Sequence, residues 1–221
     1  MSAIAGPSVP LDGMLLHLDA ADQNSYPGSG TSWFDLSGQN NISVLTNGPT
    51  YSPDNNGAIV FDGSNDFVIV NSLTSIMPTA AYTKIAWFFL TSYLTNNNII
   101  SGYNGQHAFW MSAGSSTLRA GHGNVSFSTV GTTTTIALNT WYCGAVTFNT
   151  TTGWRLYLNG SLENTNANAT SFTGIGDILL GSYGGGNLLT GRISNASVYN
   201  RVLTDAEIRQ NFNALRGRFG I

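Results

Sequence analysis

Trp154-Arg-Leu-Tyr-Leu-Asn159-Gly160-Ser-Leu-Glu163 is the stretch whose reading decides the fold. Asn-Gly supplies the positive backbone angles of a tight two-residue turn, and here it separates Trp154–Leu158 from Ser161–Glu163, two strand-like segments. Just upstream, Trp141-Tyr-Cys-Gly-Ala-Val-Thr-Phe148 reads as another strand. Outward from there the signal is strand, turn, strand. Gly13–Asp19 alternates, with Met14, Leu16 and Leu18 on one face. Tyr82–Leu94 carries large side chains on both faces, as a strand covered on both sides would. Ala58–Phe61 and Phe67–Val70 flank Asp62-Gly-Ser-Asn-Asp66 and read as a hairpin. Further strands are expected at His107–Ser112, Leu118–His122, Val125–Val130, Thr133–Leu138, Ile178–Gly181 and Arg192–Tyr199.

One segment follows helix logic. Thr204-Asp-Ala-Glu207 is a capping box, and Ile208, Phe212 and Leu215 then form an apolar stripe at helical spacing. Arg216 suits the negative end of the helix dipole and Gly217 a left-handed stop, so the helix is expected at about 204–215. No linker divides the chain and no period of 20–50 residues repeats. The expectation is one all-β sandwich over residues 11–216, preceded by an extended arm (1–10) and followed by a short tail (217–221).

Composition narrows the function. Of 221 residues 42% are apolar, enough for a sizeable core, but only 9% are charged, against about 25% in an average soluble domain. Lys84 is the single lysine; Glu163 and Glu207 are the only glutamates. A net charge of −3 without a basic block argues against nucleic acid as a partner. One cysteine excludes an intrachain disulfide and a four-cysteine metal site. Met1–Pro10 lacks the features of a secretory signal, and the longest apolar run, Ile85–Leu90, is far short of the ~20 residues a membrane helix needs. A soluble protein, not exported by the ordinary route and without a membrane partner, is expected.

Several stretches resemble a known family. Gly13–Asp22, Ser25-Tyr-Pro-Gly-Ser-Gly-Thr-Ser-Trp33 and Asp35-Leu-Ser-Gly38 look like the opening of concanavalin A-like, laminin-G-type jelly rolls. Phe61-Asp-Gly-Ser-Asn-Asp-Phe67 resembles their aromatic hairpin, and Trp141–Phe148 with Arg155-Leu-Tyr-Leu-Asn-Gly160 resembles their central strand pair. Gly191-Arg-Ile193 through Ile208 is similar to their final strand and closing helix. The resemblance implies a two-sheet antiparallel jelly roll with a short C-terminal helix. The wording at the two ends is similar to versions found in tailed-phage virion proteins. That implies a non-enzymatic particle component, decorating a capsid or built into a tail appendage, located in the virion and assembled with other virion proteins as a homo-oligomer.

The candidate sites follow from chemistry. Glycoside hydrolysis needs two carboxylates about 5–9.5 Å apart; Glu207 belongs to the capping box, and Glu163 past a hairpin turn reads as a solvated carboxylate. Asp19, Asp22, Asp62 and Asp66 lie in two loop regions, with Asp35 near the first. Calcium wants six or more oxygens from such loops, and related jelly rolls often hold it; the alternative is that these aspartates bond their own turn amides. His17, His107 and His122 lack metal-ligand spacing, and Cys143 reads as a small buried hydrophobe. Trp33, Tyr103, Trp110, Trp154 and Tyr183 are candidates for stacking on a sugar, which makes a lectin-like adhesion module binding a host-surface glycan the competing function. Arg201, Arg209, Arg216 and Arg218 crowd the C-terminal end with Arg192 and suit an edge that docks on acidic protein surfaces. A shortage of charged side chains also suits close packing against neighbours, because charges are costly to desolvate.

Overall fold

A computed structural model describes residues 8–71, 77–93, 96–102, 106–123, 128–172 and 178–221. In chain order its strands begin with β1 (Met14–Asp19), β2 (Ser32–Phe34), β3 (Ile42–Thr46), β4 (Thr50–Ser52), β5 (Ala58–Asp62) and β6 (Phe67–Asn71). There follow β7 (Ala81–Leu90), β8 (Asn97–Asn98), β9 (Ile100–Gly102), β10 (His107–Ser112), β11 (Thr117–His122) and β12 (Ser128–Thr135). The last are β13 (Trp141–Asn149), β14 (Gly153–Leu158), β15 (Ser161–Asn166), β16 (Ile178–Leu180) and β17 (Thr190–Tyr199), before the helix α1 (Asp205–Phe219). No helix among the described residues is long and apolar enough to cross a membrane.

These strands make two antiparallel layers, a jelly roll. The first is an eight-stranded sheet in the order β15-β14-β13-β7-β17-β5-β4, with β1 also paired to β17. The second combines a five-stranded sheet, β2-β3-β6-β16-β9, with a four-stranded one, β12-β11-β10-β8. The two sheets of this layer meet where Ile99 N–H donates to Phe109 O at 2.8 Å.

Strand β7 shows why the layers sit as they do. Side chains alternate across a strand, so Tyr82, Lys84, Ala86, Phe88 and Leu90 point between the layers, while Ile85 and Trp87 point the other way. The inward set joins a core with Leu16, Val68, Phe109, Met111 and Leu118. The outward set joins a second core under α1 with Trp141, Tyr157, Ile208 and Phe219. There the Trp87 ring stacks on Phe219 at 4.1 Å and on Phe212 at 5.6 Å. Fully burying one such side chain is worth roughly 1.5–3 kcal/mol, which is why a strand this apolar needs cover on both faces.

The sequence reading did not name the short strands β2, β3, β4, β8 and β9, and four further details differ. The turn 62–66 does not close a hairpin: β5 pairs with β17 and β4, whereas β6 pairs with β3 and β16, so the turn carries the chain between layers. Strand β12 runs unbroken from Ser128 to Thr135 where a separate strand at Thr133–Leu138 was expected. The capping box forms as read, but α1 continues through Gly217 to Phe219 and stops at Gly220 (φ 70°). Glycine costs a helix about 1 kcal/mol, and the Phe219–Trp87 stack outweighs it. Finally, residues 8–10 of the expected arm pack against the chain itself. Gln210 Nε2 donates to Ser8 O at 2.6 Å and Tyr199 Oη to Pro10 O at 3.1 Å, so this part lies on the chain's own helix and sheet. Residues 1–7 lie outside the described residues.

Candidate functional site

Two of the five aromatic candidates meet. Trp110 lies at the centre of β10, directly opposite Asn98 of β8, and Ala108 shares its face two residues earlier. After β16 the chain makes a tight turn in which Tyr183 N–H donates to Gly186 O (2.8 Å) and Gly186 N–H to Tyr183 O (3.0 Å). Gly184 and Gly185 have φ of 60° and 81°, angles that glycine adopts at little steric cost. The turn brings Tyr183 to the strand that carries Trp110. The two half-buried rings line one cleft with Asn96, Asn98, Ala108 and Asn187, enclosing about 210 Å³.

The walls are held by amides. Asn98 Nδ2 donates to Asn187 O at 3.0 Å while its Oδ1 accepts from Ser101 Oγ at 2.8 Å, tying β8 to the loop opposite. Asn96 Oδ1 accepts from Ala113 N–H at 3.1 Å. The side-chain amide of Asn187 has no partner among the described residues, and it offers both donors and an acceptor. Rings for an apolar C–H face and amides for a hydroxyl rim are the two things a pyranose requires. The volume is below the ~300–1,000 Å³ of clefts for drug-sized ligands, which suits a single ring-sized unit.

The other candidates are placed elsewhere. Trp33 and Trp154 are fully buried, at 0% exposure, and present no face to a ligand; Trp154 packs in the core against Phe148 (4.7 Å) and His122 (4.3 Å). Tyr103 lies outside the described residues. The aspartates do not assemble into a calcium cage. Asp19 is forked by Arg218 (2.7 and 2.5 Å), and Asp22 accepts from Asn24 N–H and Nδ2. Asp62 accepts from Ser64 N–H and Asp66 from Asp62 N–H, so this pair shapes the β5–β6 turn. No group of three or more His, Cys, Asp or Glu among the described residues could hold a metal. Asp35 accepts from Ser37 N–H and also from His17 N–H.

Of the arginines, Arg201 is engaged by Glu207 (2.6 and 3.0 Å) and Asp12 (2.9 Å), and Arg218 by Asp19, so neither is available to a partner's carboxylate. Arg209 and Arg216 remain exposed, the latter 5.9 Å from the Phe212 ring centre. Arg192 pairs with Asp54 at 2.6 Å. Glu163 is not simply solvated: its carboxylate accepts from Thr133 Oγ1, Thr134 N–H and Thr134 Oγ1 at 2.8–3.1 Å, bonds that hold its pKa down against the opposing effect of burial.

Sequence reasoning missed a buried polar cluster between the layers. Lys84 Nζ lies 2.7 Å from His107 Nδ1 and donates to Ile100 O at 3.2 Å. His122, directly across from His107, donates from Nε2 to Thr170 O (2.7 Å), which leaves Nδ1 to accept from Tyr82 Oη (3.1 Å). Burial pushes Lys84 and His107 well below their usual pKa values and takes His122 down to about 4. The signal was present: the chain's one lysine occupies an inward position of β7, in phase with Tyr82, Ala86 and Phe88.

With this geometry in hand, comparison with known proteins is informative. A family described as the concanavalin A-like lectin/glucanases superfamily matches residues 62–209. No curated protein matches the sequence. Among solved structures, the binding domain of botulinum neurotoxin DC in complex with SialylT superposes with a TM-score of 0.72 at 16% identity, over 93% of this chain and 52% of that one. The binding domain of Paraclostridial Mosquitocidal Protein 1 gives 0.73 at 17% identity, over 92% and 52%. Trypanosoma rangeli sialidase in complex with the inhibitor DANA gives 0.71 at 16% identity, over 96% and 35%. The chain thus spans about half, or less, of the solved chains it matches, and at these identities the likeness is one of fold.

Proposed function

Since the chain belongs to the concanavalin A-like lectin/glucanases superfamily, we propose that it is a lectin-like carbohydrate-binding module, working by contact through the Trp110–Tyr183 cleft. The observation that carries this reading is the convergence of two half-buried rings and three asparagines on a space the size of one sugar unit. The superposed botulinum neurotoxin DC binding domain and the sialidase are described in complexes with SialylT and DANA, respectively; their shared fold makes a glycan reasonable to test first. Hydrolysis is less well supplied. It requires a pair of carboxylates at the scissile bond, the described lining of the cleft has none, and Glu163 has its oxygens committed to β12. The virion remains our proposed setting, where a glycan-binding face would serve attachment to a host surface.

The test is a glycan array with purified protein, followed by titration calorimetry on the best ligand. Millimolar to micromolar binding that weakens at least tenfold in Trp110→Ala and Tyr183→Ala, with circular dichroism unchanged, is expected; stacking of this kind contributes on the order of 1–3 kcal/mol per ring. Absence of any glycan ligand, or binding indifferent to both substitutions, would overturn the proposal.

A further inference from the structure

The cleft opens onto one face of the four-stranded sheet, and that face has an unusual row across its middle. Asn98 of β8, Trp110 of β10, Arg119 of β11 and Gly131 of β12 stand directly opposite one another in successive registers. Directly paired residues share a face, so the cleft wall, the tryptophan and the guanidinium lie in one line. Around them the same face carries Ala108, Ser112, Gly121 and Thr129, side chains too small to lift a ligand off the sheet.

Arg119 differs from the other cations of the chain. Arg155, Arg192, Arg201 and Arg218 each hold a carboxylate of their own molecule. Lys84 is sealed in the core, while Arg209 and Arg216 lie on α1. Arg119 alone sits on the second layer. It is half-buried, its Nη2 donates to Thr129 Oγ1 at 2.9 Å, and among the described residues no carboxylate pairs with it. The side chain extends over Gly131: a Cβ there would stand 3.5 Å from Arg119 Cγ and 3.7 Å from its Nη1. Glycine in a strand leaves room for just such a close approach. The side chain therefore runs along the sheet over Gly131, held by Thr129, with most of its donors still to satisfy. Holding it there without an internal anion leaves a partly desolvated cation that an external carboxylate would complement with two parallel hydrogen bonds.

We infer that the cleft extends along this row into a track for an acidic oligosaccharide, with a carboxylate-bearing sugar seated on Arg119. The inference rests on the carbohydrate reading of the cleft and specifies its ligand class. Arg119 stands on β11 beside Trp110, but its guanidinium reaches Thr129 and Gly131 of β12; strands are spaced about 4.8 Å apart, so from β10 to β12 is roughly 10 Å, a span of about two linked sugar units. One unit stacks between Trp110 and Tyr183, the chain crosses the small-residue floor, and the acidic unit meets Arg119.

The experiment is titration calorimetry with trigalacturonate, a hyaluronan tetrasaccharide and sialyllactose, each alongside its carboxyl-reduced counterpart, using the full chain and the variants Arg119→Gln and Trp110→Ala. At least one acidic probe should bind roughly tenfold tighter than its reduced form, the scale of a charge-assisted hydrogen-bond pair. That preference should shrink between about 50 and 500 mM salt and vanish in Arg119→Gln. Trp110→Ala should weaken both forms. If reduced and acidic forms bind the parent equally, or Arg119→Gln keeps the preference, the acidic track is refuted while the sugar cleft stands. Binding of neutral array glycans alone would refute the track in the same way. If no glycan of any kind binds, the cleft reading fails and the track with it.

Discussion

Lys84→Met is expected to stabilise the protein near neutrality and to remove a specific part of its pH dependence. The amine is 1% exposed and its polar neighbours are the Ile100 carbonyl and His107. Among the described residues it has no carboxylate. Burial therefore favours the neutral amine in the folded chain, whereas the unfolded chain keeps it protonated below about 10.4. Folding then releases a proton wherever the pH lies between the folded and the unfolded values. The sign follows: a base whose folded pKa is depressed makes stability rise with pH, from the folded value up to the unfolded one, by up to about 1.4 kcal/mol per pH unit. Methionine matches the length of the lysine stem and carries no proton. Removing the amine removes the cost of deprotonating it on folding, up to about 1.4 kcal/mol for each pH unit below the unfolded value; against this, His107 Nδ1 and Ile100 O lose a partner, at a cost of about 1–3 kcal/mol. The balance at pH 7 is a gain on the order of 1 kcal/mol, larger when His107→Leu is added.

Urea melts of parent and variant from about pH 7 to about pH 10 measure this directly, because effects common to both chains, such as the ionisation of other buried groups, cancel in the difference. The parent should gain on the variant as pH rises. Parallel curves, or a variant less stable by several kcal/mol throughout, would show that the amine is charged in the fold and compensated, and the reasoning would be wrong.

Three further outcomes are expected. His122 is held at about 4, by burial first, against an ordinary value of 6.5. Its contribution to stability is therefore complete above pH 6.5 and lost as pH falls towards 4, about 3 kcal/mol at most, and His122→Phe should flatten the urea midpoint over that window. Phe219→Ala, which removes the ring stacked at 4.1 Å on Trp87, should cost about 2–4 kcal/mol by thermal or urea denaturation, less than a central core truncation because α1 is a terminal element. Thr204→Ala deletes the acceptor of the Glu207 amide and a donor to its carboxylate. It should cost about 1 kcal/mol and raise the carboxyl pKa from about 2, measured by NMR titration, with most of the depression surviving because Arg201 is its main cause.

The longer strands were legible because they carry their own evidence: period-two alternation in β1, an Asn-Gly turn between β14 and β15, cover on both faces of β7; β2, β3, β4, β8 and β9, five residues or fewer, were not read because so short a run shows no period. The start of α1 was legible for the same reason, since a capping box is local. What was not legible depends on distant partners. The turn at 62–66 has identical chemistry whether the next strand pairs or crosses to the other layer, and the choice is made by β17, far along the chain. The end of α1 is set by Trp87, not by the residues around Gly217. Among the aromatics a usable signal was overlooked. Trp154 is in phase with Leu156 and Leu158, so its face is core, whereas Trp110 is in phase with Ala108 and Ser112, a face with little to bury. Tyr183 could not have been assigned to the same place as Trp110, since only β8 and the turn after β16 join them.

The distribution of cover on the two layers supports the proposed contact site at the cleft. The outer face of the eight-stranded sheet carries Ile85, Trp87, Trp141 and Tyr157, and α1 closes over them. A ligand approaching that side would have to displace the helix, which is capped at both ends and stacked on Trp87. The outer face of the four-stranded sheet carries threonine, serine, alanine and glycine around one tryptophan and one arginine, a set that demands no apolar cover. A broad protein interface draws its stability from several large buried anchors, and among the described residues the strands of this sheet offer two on that face, Trp110 and Arg119. They stand side by side on paired strands, one suited to the apolar face of a ring and the other to an anion. That combination favours a narrow, hydroxyl-rich and acidic ligand over a second protein surface, and it is why the carboxyl-reduction experiment, more than a search for protein partners, is the decisive measurement on this molecule.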